Sequence, residues 1–293
     1  MSREEKVRLK KGKSTVYIIS NLNRAAVIPA TERLLDLLEK NRIKAYMDAF
    51  AKNSIHKENV VFSDDASEMA FVDLIFVVGG DGTILRAAKR ALVYNKPILG
   101  INAGRLGFLS DMETDDLPAI DKLIKTGCPI ENRMALTISV GDQSVYAVND
   151  VYVTKTEPGK ISELYVQCDG GEVCRYRADG IVLATPMGST AYSMSAGGPV
   201  LDTKMNAIVM TPVCPHSLIS CSIVFSQEKT ITVGSSFNGD EKELNVVVDG
   251  EICFTMKKNE KVTVKSSDKA IRFINVSGRG FYEVLNQKFL GRR

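Results

Sequence analysis

Long apolar runs are absent from this 293-residue sequence, and their absence excludes a membrane-spanning helix. Such a helix needs roughly 18 consecutive apolar residues, whereas the longest apolar segments, residues 74–78 and 218–225, have the length of β-strands. Residues 1–13 are charged at the place where a secretory signal has its apolar core. We therefore expect a protein of the cytoplasm that has no membrane partner.

Histidines and closely spaced cysteines are also scarce. His56 and His216 are the only histidines, and the six cysteines show no Cys-x-x-Cys spacing. This pattern argues against a disulfide framework and against a zinc or histidine-based metal site, so we expect reduced thiols and no metal-ligating side chains. The 38 basic and 35 acidic residues leave a net charge of +3, which is too balanced for a protein that binds nucleic acid through a basic face.

Strand-like and helix-like segments alternate over the first 125 residues. Residues 74–78 are almost entirely apolar, as expected of a parallel strand that is buried on both faces. The leucines within residues 29–40 give that segment a helix-like apolar face, and residues 84–94 have a similar pattern. Further strands are predicted at residues 16–20, 44–47, 60–62 and 96–100. This βαβ rhythm predicts a Rossmann-like α/β domain with an open, largely parallel sheet.

After about residue 129, short strand-like runs follow one another with few helical segments. Turn signals such as Gly141-Asp142, Asp169-Gly170 and Asp249-Gly250 separate them. This spacing is typical of an antiparallel β-sandwich, and residues 281–290 are predicted to form a closing helix. The 293 residues suggest about two domains. We place the α/β domain at residues 1–128, the β-rich domain at 129–270 and a C-terminal segment at 271–293.

Gly79-Gly80-Asp81-Gly82-Thr83 lies where the predicted strand 74–78 passes into a helix. Glycines let the backbone approach a phosphate closely, and a helix N-terminus favours negative charge. A carboxylate in such a loop suits a general base toward an attacking hydroxyl or an orienting partner for a metal–phosphate complex. The alternative is a tight turn in which Asp81 or Thr83 caps the helix. A P-loop is unlikely because its lysine is missing.

Two more segments place polar groups at strand ends. Residues 102–109 follow the predicted strand 96–100, and their glycines predict backbone close to a ligand, with Phe108 and Leu109 in the core. Asn149-Asp150 offers an amide and a carboxylate for a ribose diol or an adenine edge, although the pair is also a common turn dipeptide.

Residues 177–199 are rich in small and hydroxyl-bearing side chains and contain one aromatic residue, Tyr192. Small residues permit close approach of a flat ligand, hydroxyls can hydrogen-bond to the edge of a base, and a tyrosine can stack on it. We favour ligand binding over a plain surface loop, since such a loop explains the glycines but not the many hydroxyls.

Together these segments resemble the NAD kinase family, bacterial type. The resemblance lies in GGDGT and the following ILRAA, in GINAGRLGFL (residues 100–109), in ND (149–150), in DGIVLATPMGSTAYSMSAGGPV (179–200), in TPVCPHSL (211–218) and in DGE (249–251). It spans about residues 14–285. GGDGT alone is shared with lipid kinases and 6-phosphofructokinases, whereas the TPxGSTAYxxSAGGP run is highly specific.

The resemblance implies an enzyme that phosphorylates the 2′-hydroxyl of the adenosine ribose of NAD, using ATP and Mg²⁺ or another divalent metal. It implies an α/β domain, a β domain and a C-terminal segment that returns to the first domain, in a homodimer or homotetramer. Asp81 would be the proton acceptor. The implied substrate-binding residues are Gly79, Gly80, Gly82, Thr83, Arg86, Asn149, Asp150, Lys160, Arg177, Asp179, Thr190, Ala191, Tyr192, Ser193 and Ser195.

The sequence departs from the family's usual pattern at four places. Asp150 stands where a glutamate is common, Glu251 where a glutamine is common, and Met187 where a small hydroxyl residue is usual. The arginine that many members carry after PHSL is missing from residues 219–222. None of these departures involves Asp81. Two alternatives stay open, namely a lipid or sugar kinase that shares GGDGT and a protein that senses NAD(P) without turnover.

Overall fold

The computed structural model describes residues 5–104, 107–156, 162–216, 220–236, 243–257 and 259–290. The chain forms two compact units, Met1–Asn132 with Ile271–Arg293, and Arg133–Ala270. Within the described ranges, no helix has the length and apolar character needed to cross a membrane.

The first unit is built on one sheet of nine described strands. They are β1 (Lys6–Val7), β2 (Thr15–Ser20), β3 (Lys44–Asp48), β4 (Val60–Ser63), β5 (Leu74–Val78), β6 (Ile98–Asn102), β7 (Met112–Glu113), β8 (Cys128–Arg133) and β21 (Ile271–Ile274). Their order is β1-β8-β21-β6-β5-β2-β3-β4, and β7 also pairs with β6. The pairs from β4 across to β21 are parallel, while β1 and β8 run antiparallel. The expected largely parallel sheet is therefore confirmed, with an antiparallel edge.

Helices flank the strands of this unit. They are α1 (Val27–Lys40), α2 (Asp81–Tyr94), α3 (Asp121–Lys125) and α5 (Phe281–Leu290), together with 3₁₀ turns at Ala49–Asn53, Ala66–Ala70 and Thr114–Ile120. Leu34, Leu35 and Leu38 of α1 are buried, as their spacing predicts, and Leu37 is partly buried. Strands β5 and β6 are buried along their whole length. They are parallel, so the segments that follow them, residues 79–83 and 103–109, both begin at the carboxyl edge of the sheet.

The C-terminal segment packs within the first unit. Phe273 in β21 pairs with Ile98 in β6. The carboxylate of Asp111 accepts hydrogen bonds from the backbone N–H groups of Val276 and Ser277 at 3.0 and 3.1 Å and from the Ser277 hydroxyl at 3.0 Å. Burial raises the pKa of the Asp111 carboxyl above its usual range, and these hydrogen bonds oppose that shift. The return of the C-terminal segment is thus confirmed.

The second unit contains two antiparallel six-stranded sheets. Their strands are β9 (Leu136–Val140), β10 (Gln143–Ala147), β11 (Asp150–Lys155), β12 (Ser162–Cys168), β13 (Gly171–Ala178), β14 (Gly180–Ala184), β15 (Ala207–Val213), β16 (Ile223–Ser226), β17 (Ile231–Ser235), β18 (Glu243–Val248), β19 (Glu251–Lys257) and β20 (Val262–Ser266). The orders are β10-β9-β20-β17-β12-β13 and β16-β15-β14-β11-β18-β19. One apolar core contains side chains of both sheets, which confirms the β-sandwich.

Residues 185–199, which we call the hydroxyl-rich segment, cover the outer face of the sheet that contains β14 and β15. Strands β14 and β15 are buried at every residue. Ile181 and Ile208 face the sandwich core, whereas Val182 and Val209 face a smaller apolar cluster that includes Leu201. The segment carries the short helix α4 (Tyr192–Ser195), preceded by a 3₁₀ turn at Gly188–Thr190.

Candidate active site

The glycine-rich turn connects β5 to α2 at the carboxyl edge of the first unit's sheet. A Cβ atom on Gly79 would lie 2.8 Å from the Cβ atom of Thr83, so this position has no room for a side chain. Gly82 is exposed, and no other atom lies within 4 Å of the place where its Cβ would be. The N–H groups of Thr83 and Ile84 donate to the Gly80 carbonyl at 2.8 and 3.1 Å. Among the described residues, the N–H groups of Asp81 and Gly82 have no such partner, so these two can meet an anion at the helix N-terminus.

Asp81 is the first residue of α2, but its carboxylate does not cap this helix. The capping residue is Gly80, which has no side chain, so the alternative in which Asp81 or Thr83 caps the helix is wrong. The Asp81 carboxylate instead accepts hydrogen bonds from the backbone N–H groups of Phe108 at 2.9 Å and Leu109 at 3.2 Å. These two contacts fix its orientation from a loop that follows β6.

Gly107 makes room for this carboxylate. A Cβ atom at position 107 would lie only 1.7 Å from Oδ1 of Asp81. The backbone N–H of Gly107 donates to the Ser110 hydroxyl at 2.8 Å, which holds the turn in place. Leu109 is buried, as expected, whereas Phe108 is only partly buried.

A cavity of about 420 Å³ opens beside Asp81. It lies within the first unit, and α5 contributes to its wall through Lys288. Its polar wall includes the side chains of Asn21, Arg24, Asp81, Arg86, Asn102 and Lys288. Arginines and a lysine around a glycine-lined helix N-terminus form a suitable environment for phosphate groups.

The second unit holds Asn149 and Asp150 through another carboxylate. Asp249 accepts hydrogen bonds from the backbone N–H groups of Val148, Asn149 and Asp150 at 2.9, 2.7 and 3.1 Å. Asp249 has a positive φ of 50° in the turn between β18 and β19. The Asp-Gly turn therefore both closes a hairpin and fixes the start of β11.

The amide of Asn149 has an unusual environment. Its Oδ1 atom is buried and has no hydrogen-bond partner among the residues that the structure describes. Gly188 packs so closely that a Cβ there would lie 2.0 Å from the Asn149 carbonyl oxygen. A buried polar atom without a partner costs about 1–3 kcal/mol, so this oxygen is a candidate for ligand binding.

The hydroxyls of the hydroxyl-rich segment mostly bind the segment itself. Thr185 donates to the Val148 carbonyl and accepts from the Gly188 N–H, both at 2.9 Å. Thr190 donates to the Met187 carbonyl at 3.1 Å. Ser193 is fully buried against Thr211, at 2.9 Å between the hydroxyl oxygens. These hydroxyls stabilise a compact fold of the segment.

The exposed side of the same segment carries Ala191, Tyr192 and Ser195. Ala191 is partly exposed and Ser195 exposed, and Tyr192 is 40% exposed. The ring of Tyr192 lies edge-on to that of Tyr152, with 4.9 Å between the centroids. Burial, with the neighbouring Tyr152, raises the pKa of Tyr192 to about 12. Tyr192 is therefore a neutral hydrogen-bonding phenol at physiological pH.

Asp179 and Arg177 lie near the junction of β13 and β14. Lys155 donates to the Asp179 carboxylate at 2.5 Å, and Thr154 donates to the Asp179 carbonyl at 2.9 Å. Arg177 is exposed, and its carbonyl accepts from the His216 N–H at 2.7 Å. Lys160, residues 105–106 and residues 217–219 lie outside the described residues.

Two domain families match most of the chain. The ATP-NAD kinase N-terminal domain matches residues 16–127, and the ATP-NAD kinase C-terminal domain matches residues 148–276. The chain belongs to the NAD kinase family. The predicted recognition of this family, and with it an enzyme rather than a passive binding protein, is confirmed.

Curated NAD kinases and solved structures agree with this membership. The chain is 32% identical to the NAD kinase of Natranaerobius thermophilus over 284 residues, which cover 94% of this chain and 98% of that protein. It is 35% identical to the NAD kinase of Chlorobium limicola over 281 residues, covering 94% and 96% of the two chains. Yeast NADH kinase in complex with NADH shares the fold, with a TM-score of 0.84, 22% identity, and coverage of 96% of this chain and 88% of that one. An Archaeoglobus fulgidus NAD kinase in complex with ATP gives a TM-score of 0.73 and 25% identity, with coverage of 94% and 97%.

Membership in the NAD kinase family disfavours the two alternatives, a lipid or sugar kinase and a sensor without turnover. The GGDGT turn that these kinases share lies in the N-terminal match, while the hydroxyl-rich segment lies in the C-terminal match. Both parts are present in one chain.

Proposed function

We propose that this chain transfers the γ-phosphoryl group of ATP to the 2′-hydroxyl of the adenosine ribose of NAD, giving NADP and ADP. The observation that carries the proposal is the Asp81 carboxylate, held by two backbone N–H groups at the edge of a cavity with three cationic side chains. The membership of this chain in the NAD kinase family identifies the two substrates, ATP and NAD.

Asp81 serves as the general base in this proposal. A ribose hydroxyl holds its proton firmly at neutral pH, so a carboxylate that accepts the proton as the P–O bond forms lowers the barrier, by about 10²–10⁴-fold in rate. A carboxylate offers about four acceptor positions. Among the described residues, each oxygen of Asp81 accepts one hydrogen bond, from a backbone N–H, so each keeps one position for the hydroxyl.

Phosphate binding falls to the turn and the helix that follows it. The open N–H groups at the start of α2 and the positive end of its dipole stabilise the negative charge that moves during transfer. Arg86 adds a guanidinium from the cavity wall. The residues proposed for this role are Gly79, Gly80, Gly82, Thr83 and Arg86.

Dinucleotide binding is proposed for the second unit. The buried, unpartnered Oδ1 atom of Asn149 supports a hydrogen bond to the adenine or ribose of NAD. The exposed face of Tyr192 supports contact with a base, and the buried Ser193 would act by holding the segment in shape. The full proposed set is Asn149, Asp150, Lys160, Arg177, Asp179, Thr190, Ala191, Tyr192, Ser193 and Ser195.

A divalent metal fits the site as a partner of the donor phosphates. Among the described residues, no group of three or more His, Cys, Asp or Glu side chains is placed to hold a metal. Mg²⁺ keeps several water ligands and binds readily to substrate phosphates, so the phosphates of ATP would hold the ion beside the turn and leave Asp81 to accept the proton. When bound, Mg²⁺ or another divalent ion would neutralise part of the phosphate charge.

We also propose a homodimer or homotetramer in the cytoplasm, with no nucleic-acid or membrane partner. Val224 on the edge strand β16 is 46% exposed, and Ile252 on the edge strand β19 is 64% exposed. Exposed apolar side chains on sheet edges favour contact with a second copy. All six cysteines are free thiols, which supports a reducing compartment.

The test is an assay of NADP formation from NAD, ATP and Mg²⁺ with purified protein. Asp81→Asn should lower kcat by about 10²–10⁴-fold, while the affinity for NAD, measured by calorimetry, stays close to that of the unaltered protein. Asp64→Asn, which changes an exposed carboxylate of the same unit, is the matched control. Wild-type turnover by Asp81→Asn would disprove the general-base role. Binding of NAD without NADP formation, with NADH and polyphosphate also tried, would instead support a sensor.

A further inference from the structure

Three cationic side chains face the cavity beside Asp81, although the sequence singles out only one of them. Arg86 lies on the second turn of α2. Arg24 lies between β2 and α1, and Lys288 lies near the end of α5. Distant parts of the chain therefore place positive charge around the same glycine-rich turn.

None of these three side chains forms a hydrogen bond or an ion pair within the part of the chain that the structure describes. Arg90, one turn further along α2, shows the contrast: it binds Asp48 through two hydrogen bonds of 3.0 and 2.9 Å. Like charges that share a cavity repel one another. An anion in the cavity would remove this repulsion.

Arg24 and Lys288 both lie against the machinery around Asp81. The Nη1 atom of Arg24 lies 3.5 Å from the place where a Cβ of Gly80 would be. The Nζ atom of Lys288 lies 5.9 Å from the centroid of the Phe108 ring, and the backbone N–H of Phe108 donates to Asp81 at 2.9 Å. Lys288 is partly buried and Arg24 is exposed.

We propose that Lys288 and Arg24 bind the phosphate chain of the donor nucleotide, so that the C-terminal helix forms part of the donor site. This inference rests on the proposed function, which requires the γ-phosphate to lie near Asp81. Guanidinium and ammonium groups are the side chains that bind phosphate best. The triphosphate of ATP carries more negative charge than the pyrophosphate of a dinucleotide, so a cluster of three cations matches the donor better.

Two measurements on Lys288→Met and Arg24→Met test this inference. Calorimetric titration with Mg·ATP in the absence of NAD measures donor binding without turnover, and initial rates give KM for ATP and for NAD separately. Each variant should bind ATP about tenfold more weakly, or about 1.4 kcal/mol, and should leave the KM for NAD within about twofold. Lys288→Arg should restore most of the ATP affinity, because it keeps the charge.

Lys96→Met is the matched control. Lys96 is also partly exposed in the first unit, but it follows the other end of α2, about 21 Å from the N-terminus of this 14-residue helix. The ATP affinity of Lys96→Met should equal that of the unaltered protein.

Several outcomes would overturn the inference. A change of less than twofold in ATP affinity for both Met variants would show that these cations do not bind the donor. A larger loss for NAD than for ATP would assign them to the dinucleotide pyrophosphate instead. If Lys288→Met unfolds, Lys288→Arg and the exposed Arg24→Met still decide the matter. If the unaltered protein forms no NADP, the proposed function fails, while ATP calorimetry still tests the two cations.

Discussion

Replacing Gly107 with alanine should disable the reaction without removing any charged or polar side chain. The added Cβ would lie 1.7 Å from Oδ1 of Asp81, whereas real Cβ atoms essentially never approach another heavy atom within 3.0 Å. One of the two atoms must therefore move by about 1 Å or more, and such a misplacement of a reacting group can lower a rate by about 10²-fold.

Gly280→Ala is the matched control for this prediction. Gly280 lies in the same unit but is not part of the cavity wall, and no atom of the described chain lies within 4 Å of the place where its Cβ would be. Its φ is not positive, so its backbone tolerates alanine. The two variants thus differ mainly in whether Asp81 is displaced.

The assay is kcat for NADP formation, with the melting temperature of each variant as a check on folding. We expect Gly107→Ala to lose about 10²-fold in kcat with little change in KM for NAD, and Gly280→Ala to match the unaltered protein. Equal kcat values for both variants would refute the reasoning, because the carboxylate would then not need the position that the loop gives it.

Two further predictions concern carboxylates outside the cavity. Asp249→Asn should raise the KM for NAD about tenfold, because an amide nitrogen would replace one of the two oxygens that accept hydrogen bonds from the N–H groups of residues 148–150. An unchanged KM would show that NAD binding does not depend on these hydrogen bonds. Burial would raise the pKa of Asp48, but hydrogen bonds from Arg90 and Tyr17 lower it below its usual value. Arg90→Met should therefore reduce the free energy of unfolding at pH 7 by about 1–3 kcal/mol. Stability from a lowered carboxyl pKa is lost on acidification, so the difference in unfolding free energy between the variant and the unaltered protein should shrink below about pH 4. Urea unfolding at pH 7 and pH 3.5 measures this, and an equal difference at both pH values would contradict it.

The parts of the fold that the sequence predicts are those with a strong local pattern. The apolar run of β5 and the leucines of α1 form the expected strand and helix. The Asp169-Gly170 and Asp249-Gly250 turns have positive φ at both residues, the conformation that favours Asp-Gly in two-residue hairpins. At these places local preference and tertiary packing agree.

The parts that the sequence does not predict depend on distant partners. Strand β21 lies beside β6, and β8 pairs with β1. The strands are short, and β8 contains a proline and charged residues. The pairing of β21 and β8 depends on contacts with strands that are distant in the chain, and the local sequence does not encode those contacts.

The hydroxyl-rich segment shows the limit of composition as a guide. The number of hydroxyls suggests base recognition, yet Thr185, Thr190 and Ser193 donate or accept within the unit. Composition does not distinguish a hydroxyl that satisfies a nearby backbone group from one that faces a ligand. The proposed dinucleotide binding rests instead on two other features, the Asn149 oxygen that has no partner among the described residues and the exposed ring of Tyr192.

The glycine-rich turn allows either a helix cap or a catalytic carboxylate, and the N–H groups that Asp81 binds distinguish the two. A capping carboxylate would accept hydrogen bonds from its own helix, leaving little reason for a ligand to meet it. Asp81 instead accepts them from Phe108 and Leu109, in the loop after β6. The acceptor positions that the described residues leave open therefore lie at the cavity edge, and Gly107, which lies outside the GGDGT turn, controls whether they stay there.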